Sequence, residues 1–117
     1  MNSIEEILSL YLECSLENWD GYGAKPVSFN VVANALSFNA AIPVDLENFE
    51  TCAEPDGAIS FDWIKGKSKN FSVSVSEHFS VCFAFKDDLK SGIGIVDFEN
   101  KEELEKLFSN IRDFFKP

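Results

Sequence analysis

Carboxylates are the reactive groups this chain has in number: 20 Asp and Glu against 10 Lys and Arg, with one histidine and three cysteines. Asp20, Asp56 and Asp62, with Glu54 beside them, fall where two loops and a strand could bring them together. Three or four such oxygens would suit a divalent cation, and a pair would suit acid–base work. An acidic chain also places acids near one another with no site among them, as a solvated surface. Other chemistry has little to draw on. His78 is alone between two strand-like runs, where no third group would orient its imidazole. Cys14, Cys52 and Cys82 have no metal-like spacing, so buried free thiols in a reducing compartment are expected. Gly21-Tyr22-Gly23 and Gly92-Ile93-Gly94 lack the strand–turn–helix setting of a phosphate loop, and no Gly-x-Ser-x-Gly elbow occurs. No catalytic residue, metal or cofactor is assigned.

The candidate binding residues are instead Trp19, Asp20, Tyr22, Asp56, Asp62 and Trp63. Trp19 and Tyr22 could plug a gap under a sheet edge, their N–H and O–H bonded to backbone. With Asp20 they could equally form a platform for a partner's Arg or Lys.

The net charge of −10 is unevenly placed. Up to Trp63 there are eleven acids and one base, Lys25; from Ile64 onward there are nine of each. Such a surface repels nucleic-acid phosphate and anionic lipid, and favours a basic protein partner. Neither nucleic acid nor membrane is an expected partner. No basic, apolar leader opens the chain and no apolar run approaches about 18 residues, so the cytoplasm is the expected compartment.

The elements that must position these residues follow from periodicity. At 117 residues and 45% hydrophobic content the chain suits one domain, 1–117, with one core. Runs 55–64, 70–76 and 79–85 alternate apolar with small or polar residues, as half-buried strands do. The short gaps between them predict antiparallel hairpins. Ile59, Phe61, Trp63, Phe71, Val73, Val75, Phe79, Val81, Phe83 and Phe85 would share one face, and Asp62 the other. A further short strand is expected at 49–53. Another is expected at 93–98, where Gly94, with Gly92 just before the run, suggests a bend or a close backbone approach.

A helix is predicted from Ser3, which forms a capping box with Glu6, to about residues 16–18, with Ile4, Ile7, Leu8, Tyr11 and Leu12 apolar. A second runs from the cap Ser28 to Ile42, with Phe29, Val32, Ala35 and Leu36 on its stripe, and is stopped by Pro43. A third is capped by Asn100 and carries Leu104, Leu107, Phe108, Ile111, Phe114 and Phe115. The class is α+β: a two-layer sandwich with two N-terminal helices, a 4–5-stranded antiparallel meander, and a C-terminal helix on the same face.

Trp19-Asp20-Gly21-Tyr22-Gly23-Ala24, then Pro26, then Pro55-Asp56-Gly57-Ala58-Ile59-Ser60-Phe61-Asp62-Trp63, forms a pattern. It resembles a group of small bacterial proteins sharing a W-D-G-Y-G-A…P-D-G signature, of the kind carried on mobile elements such as integron gene cassettes. The resemblance covers about residues 18–63 and implies shared fold determinants, not an activity. With the charge, it leads to the expectation of a non-enzymatic, acidic protein-binding module of the antitoxin, immunity-protein or inhibitor kind. The alternatives are a small carboxylate- or metal-dependent hydrolase and a small-ligand-binding protein. A free sheet edge would also allow a homodimer across a two-fold axis.

Overall fold

The computed structural model describes residues 2–116. Helices α1 (Ser3–Cys14) and α2 (Phe29–Ala41) come first, then a single 3-10 turn (Val44–Leu46). Strands β1 (Glu50–Ala53), β2 (Ile59–Lys65), β3 (Lys69–Val75), β4 (Ser80–Lys86) and β5 (Ser91–Asp97) follow, and α3 (Lys101–Phe114) ends the fold. The strands lie in sheet order β1-β2-β3-β4-β5, each antiparallel to its sequence neighbour. This is the expected α+β arrangement.

Each helix begins on a side chain that takes up an orphan N–H. For α1 it is Asn2, whose Oδ1 accepts from Glu5 N at 2.9 Å, one residue earlier than the expected Ser3 cap. Ser28 Oγ accepts from Val31 N at 3.3 Å, and Asn100 Oδ1 from Glu103 N at 3.2 Å, both as expected. Helix α1 stops at Cys14, sooner than predicted, because the Cys14 carbonyl takes the N–H of Val27 at 2.7 Å instead of a next helical turn. Helix α2 stops before Pro43, with Ile42 extended (φ −67°, ψ 126°) as a residue before proline must be.

The core lies between the sheet and the helices. Ile59, Phe61, Trp63, Phe71, Val73, Val75 and Val81 are at most 2% exposed, which confirms the inward strand face. Phe79 is the exception at 60% exposed, because it precedes β4 and stands in the turn. From above, α2 contributes Val31, Val32, Ala35 and Phe38, and α3 contributes Leu107, Phe108, Ile111 and Phe114. Phe38 packs edge-on to Phe61 with ring centres 5.0 Å apart, and also touches Phe98 and Phe108. Each such ring removed from water is worth about 1.5–3 kcal/mol. Phe29, expected on the α2 stripe, instead lies 68% exposed in the first turn, against Tyr11.

Strand β5 turns the usual pattern inside out. Its inward positions are Gly92, Gly94 and Val96; its outward ones include Ile93 and Ile95. The glycines make room for aromatic rings from β4: a Cβ at Gly92 would stand 2.5 Å from Phe85 Cζ, and one at Gly94 would overlap the Phe83 ring. Both rings stack on Phe71, at 5.7 Å. The glycines thus admit two side-chain rings, in place of the bend or close backbone approach expected of them.

Candidate functional site

The segment 18–26 is held almost entirely by its own hydrogen bonds. Asp20 Oδ1 accepts from the backbone N–H of Tyr22 (2.8 Å) and of Ala24 (3.1 Å). Asn18, in the left-handed region at φ 60°, accepts at Oδ1 from Gly23 N (2.6 Å) and gives its own N–H to Ala24 O (2.8 Å). Trp19 Nε1 donates to Lys25 O at 2.7 Å, which supplies the backbone partner a half-buried indole requires. Tyr22 is left at the tip, 92% exposed. Asp20 and Trp19 shape the loop, and Tyr22 is what the loop presents.

The two halves of the sequence signature meet. Lys25 N donates to Pro55 O at 2.8 Å, joining the loop to the β1–β2 turn. That turn is closed by Gly57 N to Glu54 O (2.9 Å) and by Ala58 N to Asp56 Oδ1 (3.0 Å). Gly57 has φ +92°, and a Cβ there would come within 2.9 Å of the Pro26 carbonyl oxygen. Only glycine suits both the angle and the approach.

Asp62 lies on the other face of the sheet, away from the helices. Its Oδ1 accepts from Ser72 Oγ at 2.6 Å and its Oδ2 from Ser60 Oγ at 3.1 Å. Beside it, Ser74 Oγ donates to Glu54 Oε1. These acids are therefore occupied by serine hydroxyls. No imidazole joins them: His78 is exposed in the β3–β4 turn, where Asn34 of α2 holds its carbonyl. Among the described residues, no group of three or more His, Cys, Asp and Glu is placed to hold an ion. The thiols are free, but only Cys14 is buried as expected; Cys52 and Cys82 alternate with inward residues and so stand exposed on the open face. Cys52 has its thiol pushed up by partial burial and by Asp62 and Glu54, which disfavours the thiolate a nucleophile needs. Trp63 faces inward, 2% exposed, with Nε1 donating to Leu46 O at 2.9 Å. Of the six candidate residues, Trp19, Asp20, Tyr22 and Asp56 belong to one joined loop system. Asp62 and Trp63 point to opposite sides of β2.

The apolar stripe expected on α1 divides: Ile7 and Tyr11 face the core, but Ile4, Leu8 and Leu12 do not. The helix buries Ile7 and Cys14, with Leu10 and Tyr11 packed against the core. Ile4, Leu8 and Leu12, and Leu16 just beyond the helix, are turned outward at 51%, 44%, 79% and 76% exposed. Glu5, Glu13 and Glu17 are exposed as well, and no lysine or arginine lies between residues 2 and 24. Among the described residues, no helix is long and apolar enough to cross a membrane.

Set against family models, curated proteins and solved structures, the chain matches none.

Proposed function

We propose that the protein is a non-enzymatic, acidic protein-binding module of the antitoxin, immunity-protein or inhibitor kind, carried on a mobile element, and that its partner is a basic protein. The outer ridge of α1 carries this reading. Spaced apolar side chains at Ile4, Leu8, Leu12 and Leu16 beside Glu5, Glu13 and Glu17 match a cationic surface with apolar anchors. A helix normally buries such residues, so their exposure calls for a partner. The surrounding carboxylates steer a basic protein toward the ridge and turn nucleic acid away.

The test is capture from the native host by the wild-type chain, by Leu12→Gln/Leu16→Gln and by Glu13→Gln/Glu17→Gln. All four positions are exposed, so folding should change by no more than about 0.5 kcal/mol. The captured protein should be strongly basic, should be lost in the Leu variant, and should be captured less in the Glu variant and as salt rises. An acidic partner, or capture indifferent to the α1 ridge, would refute the proposal.

A further inference from the structure

The unpaired edge of the sheet has its own geometry, independent of α1. Phe98 N donates to Phe79 O at 2.6 Å, and the two residues are directly opposite in the β4–β5 register, which runs Ser80↔Asp97 through Lys86↔Ser91. In an antiparallel ladder alternate residues direct both N–H and C=O to the same neighbour. Gly92, Gly94 and Val96 therefore bond to β4. Ser91, Ile93, Ile95 and Asp97 turn their backbone groups to the open edge; among the described residues only the Asp97 carbonyl already has a backbone partner there, Asn100 N at 3.1 Å. The same residues that offer free backbone groups also carry the exposed side chains, Ile93 at 86% and Ile95 at 71%.

Sheet edges in monomeric proteins are usually blunted by lysine, proline, a bulge or a covering element. The opposite edge follows that rule: β1 is four residues long, bears Glu50, and is bonded to α1 through Thr51 Oγ1 and Glu6 Oε2 at 3.4 Å. Strand β5 is seven residues, Ser-Gly-Ile-Gly-Ile-Val-Asp, paired without a bulge and with no lysine or proline.

We infer that β5 pairs with β5 of a second copy of this chain across a two-fold axis through Gly94, joining two five-stranded sheets into one. The alternation of free groups allows only registers that oppose odd-numbered residues to odd-numbered ones. The register centred on Gly94 is the one that uses the whole strand. It sets Ile93 against Ile95 of the second copy, and Ile95 against its Ile93, so each pair exchanges both N–H···O=C bonds and four isoleucines meet on one face. Ser91 then lies opposite Asp97 of the second copy, a hydroxyl against a carboxylate, and no like charges face each other. Moving the axis by one residue either way shortens the ladder, and in one direction sets Asp97 against Ile93.

Charge favours the same edge. Two copies of a chain with net charge −10 repel, but the excess lies wholly in residues up to Trp63, that is, in α1, β1, β2 and the loops that join the elements before β2. In sheet order β5 is the strand farthest from β1, and the residues from Ile64 onward balance. Approach edge to edge through β5 keeps the two acidic halves apart.

Sedimentation of the purified chain from micromolar to millimolar concentration should show the mass rising from 13.1 kDa to twice that value. Ile93→Lys/Ile95→Lys gathers four lysines at the axis, and Ile95→Pro deletes an N–H that the single chain does not use. Circular dichroism of each variant establishes that it still folds, and both should remain at 13.1 kDa throughout. Hydrogen exchange supplies a second readout on the unaltered chain. The amides of Ile93 and Ile95 should slow about tenfold where roughly nine-tenths of the chain is paired, while those of Gly94 and Val96 are slow at every concentration. A single-chain mass at millimolar concentration overturns the inference and leaves the edge to an extended segment of another protein. A dimer that survives both variants, or that forms without slowing the Ile93 and Ile95 amides, overturns it equally. None of these outcomes depends on whether a basic partner binds α1.

Discussion

Replacing Asp20 with alanine tests whether the signature loop is built or merely acidic. Its Oδ1 holds two backbone N–H groups, of Tyr22 and Ala24. A hydrogen bond is worth roughly 0.5–1.5 kcal/mol net, and more when the acceptor is charged. The loop is half exposed, so water replaces part of what is lost, and about 2 kcal/mol for the pair is the expected cost of Asp20→Ala. For a chain of this size that should lower Tm by about 8 °C and shift the urea midpoint by about 1–2 M without changing the slope. Asp20→Asn keeps an oxygen in place and should cost less than about 1 kcal/mol. The assay is urea unfolding followed by tryptophan fluorescence, since Trp19 donates to Lys25 O within the same loop. If alanine costs less than about 0.5 kcal/mol, or asparagine is as harmful as alanine, the two backbone bonds are not what Asp20 supplies. A structural Asp20 also implies that partner capture by Asp20→Ala falls only as far as the folded fraction does.

Two further outcomes follow from the geometry. The carboxyl of Asp45 is held below the usual range by the paired hydrogen bonds of Arg112 (2.6 and 3.0 Å), and that of Asp87 by the N–H groups of Leu89 and Lys90. A carboxyl lowered on folding adds stability that is complete above its unfolded value of about 3.9 and drains away as pH falls through the lower folded value. Urea midpoints at pH 5 and pH 2.5 should therefore differ more for wild type than for Asp45→Asn/Asp87→Asn, and an equal difference would refute the linkage. At β5, Gly94→Ala drives a methyl into the Phe83 ring, so it should destabilise by about 1–3 kcal/mol despite the usual gain from Gly to Ala. Adding Phe83→Leu should recover part of that loss, and strictly additive effects would show that the ring is not the obstacle.

Alternation and short gaps made the meander readable, because a period of two with turn residues between runs has few other solutions. The exceptions have local causes. Phe79 kept the alternation but fell in the turn before β4, and the α1 cap moved from Ser3 to Asn2 because either side chain can serve and only geometry chooses. In α1, Ile4, Ile7, Leu8, Leu10, Tyr11 and Leu12 spread too far around the helix for spacing to say which stripe faces the core. The outward ridge was hidden for that reason. On β5 the glycines carry no hydropathy, so the outward aim of Ile93 and Ile95 depends on where the Phe83 and Phe85 rings lie. Trp63 illustrates a different limit. Its place in the alternation marked it as inward, and the same indole type at Trp19 stays half exposed because its loop rather than the sheet supports it.

Because sheet order is chain order, the molecule can be assembled in the direction in which it is synthesised. Loops closed at each step are short, so little chain entropy is lost before contacts repay it. Helices α1 and α2 leave the ribosome first, with their inner stripes uncovered until residues 42–75 have emerged, a wait of roughly 2–7 s at about 5–20 residues per second. From then on the growing sheet always ends in one fresh edge, which the next strand covers. Once β5 is in place, α3 packs against the core and leaves Ile93 and Ile95 of that last edge exposed, and its fate passes from translation to concentration.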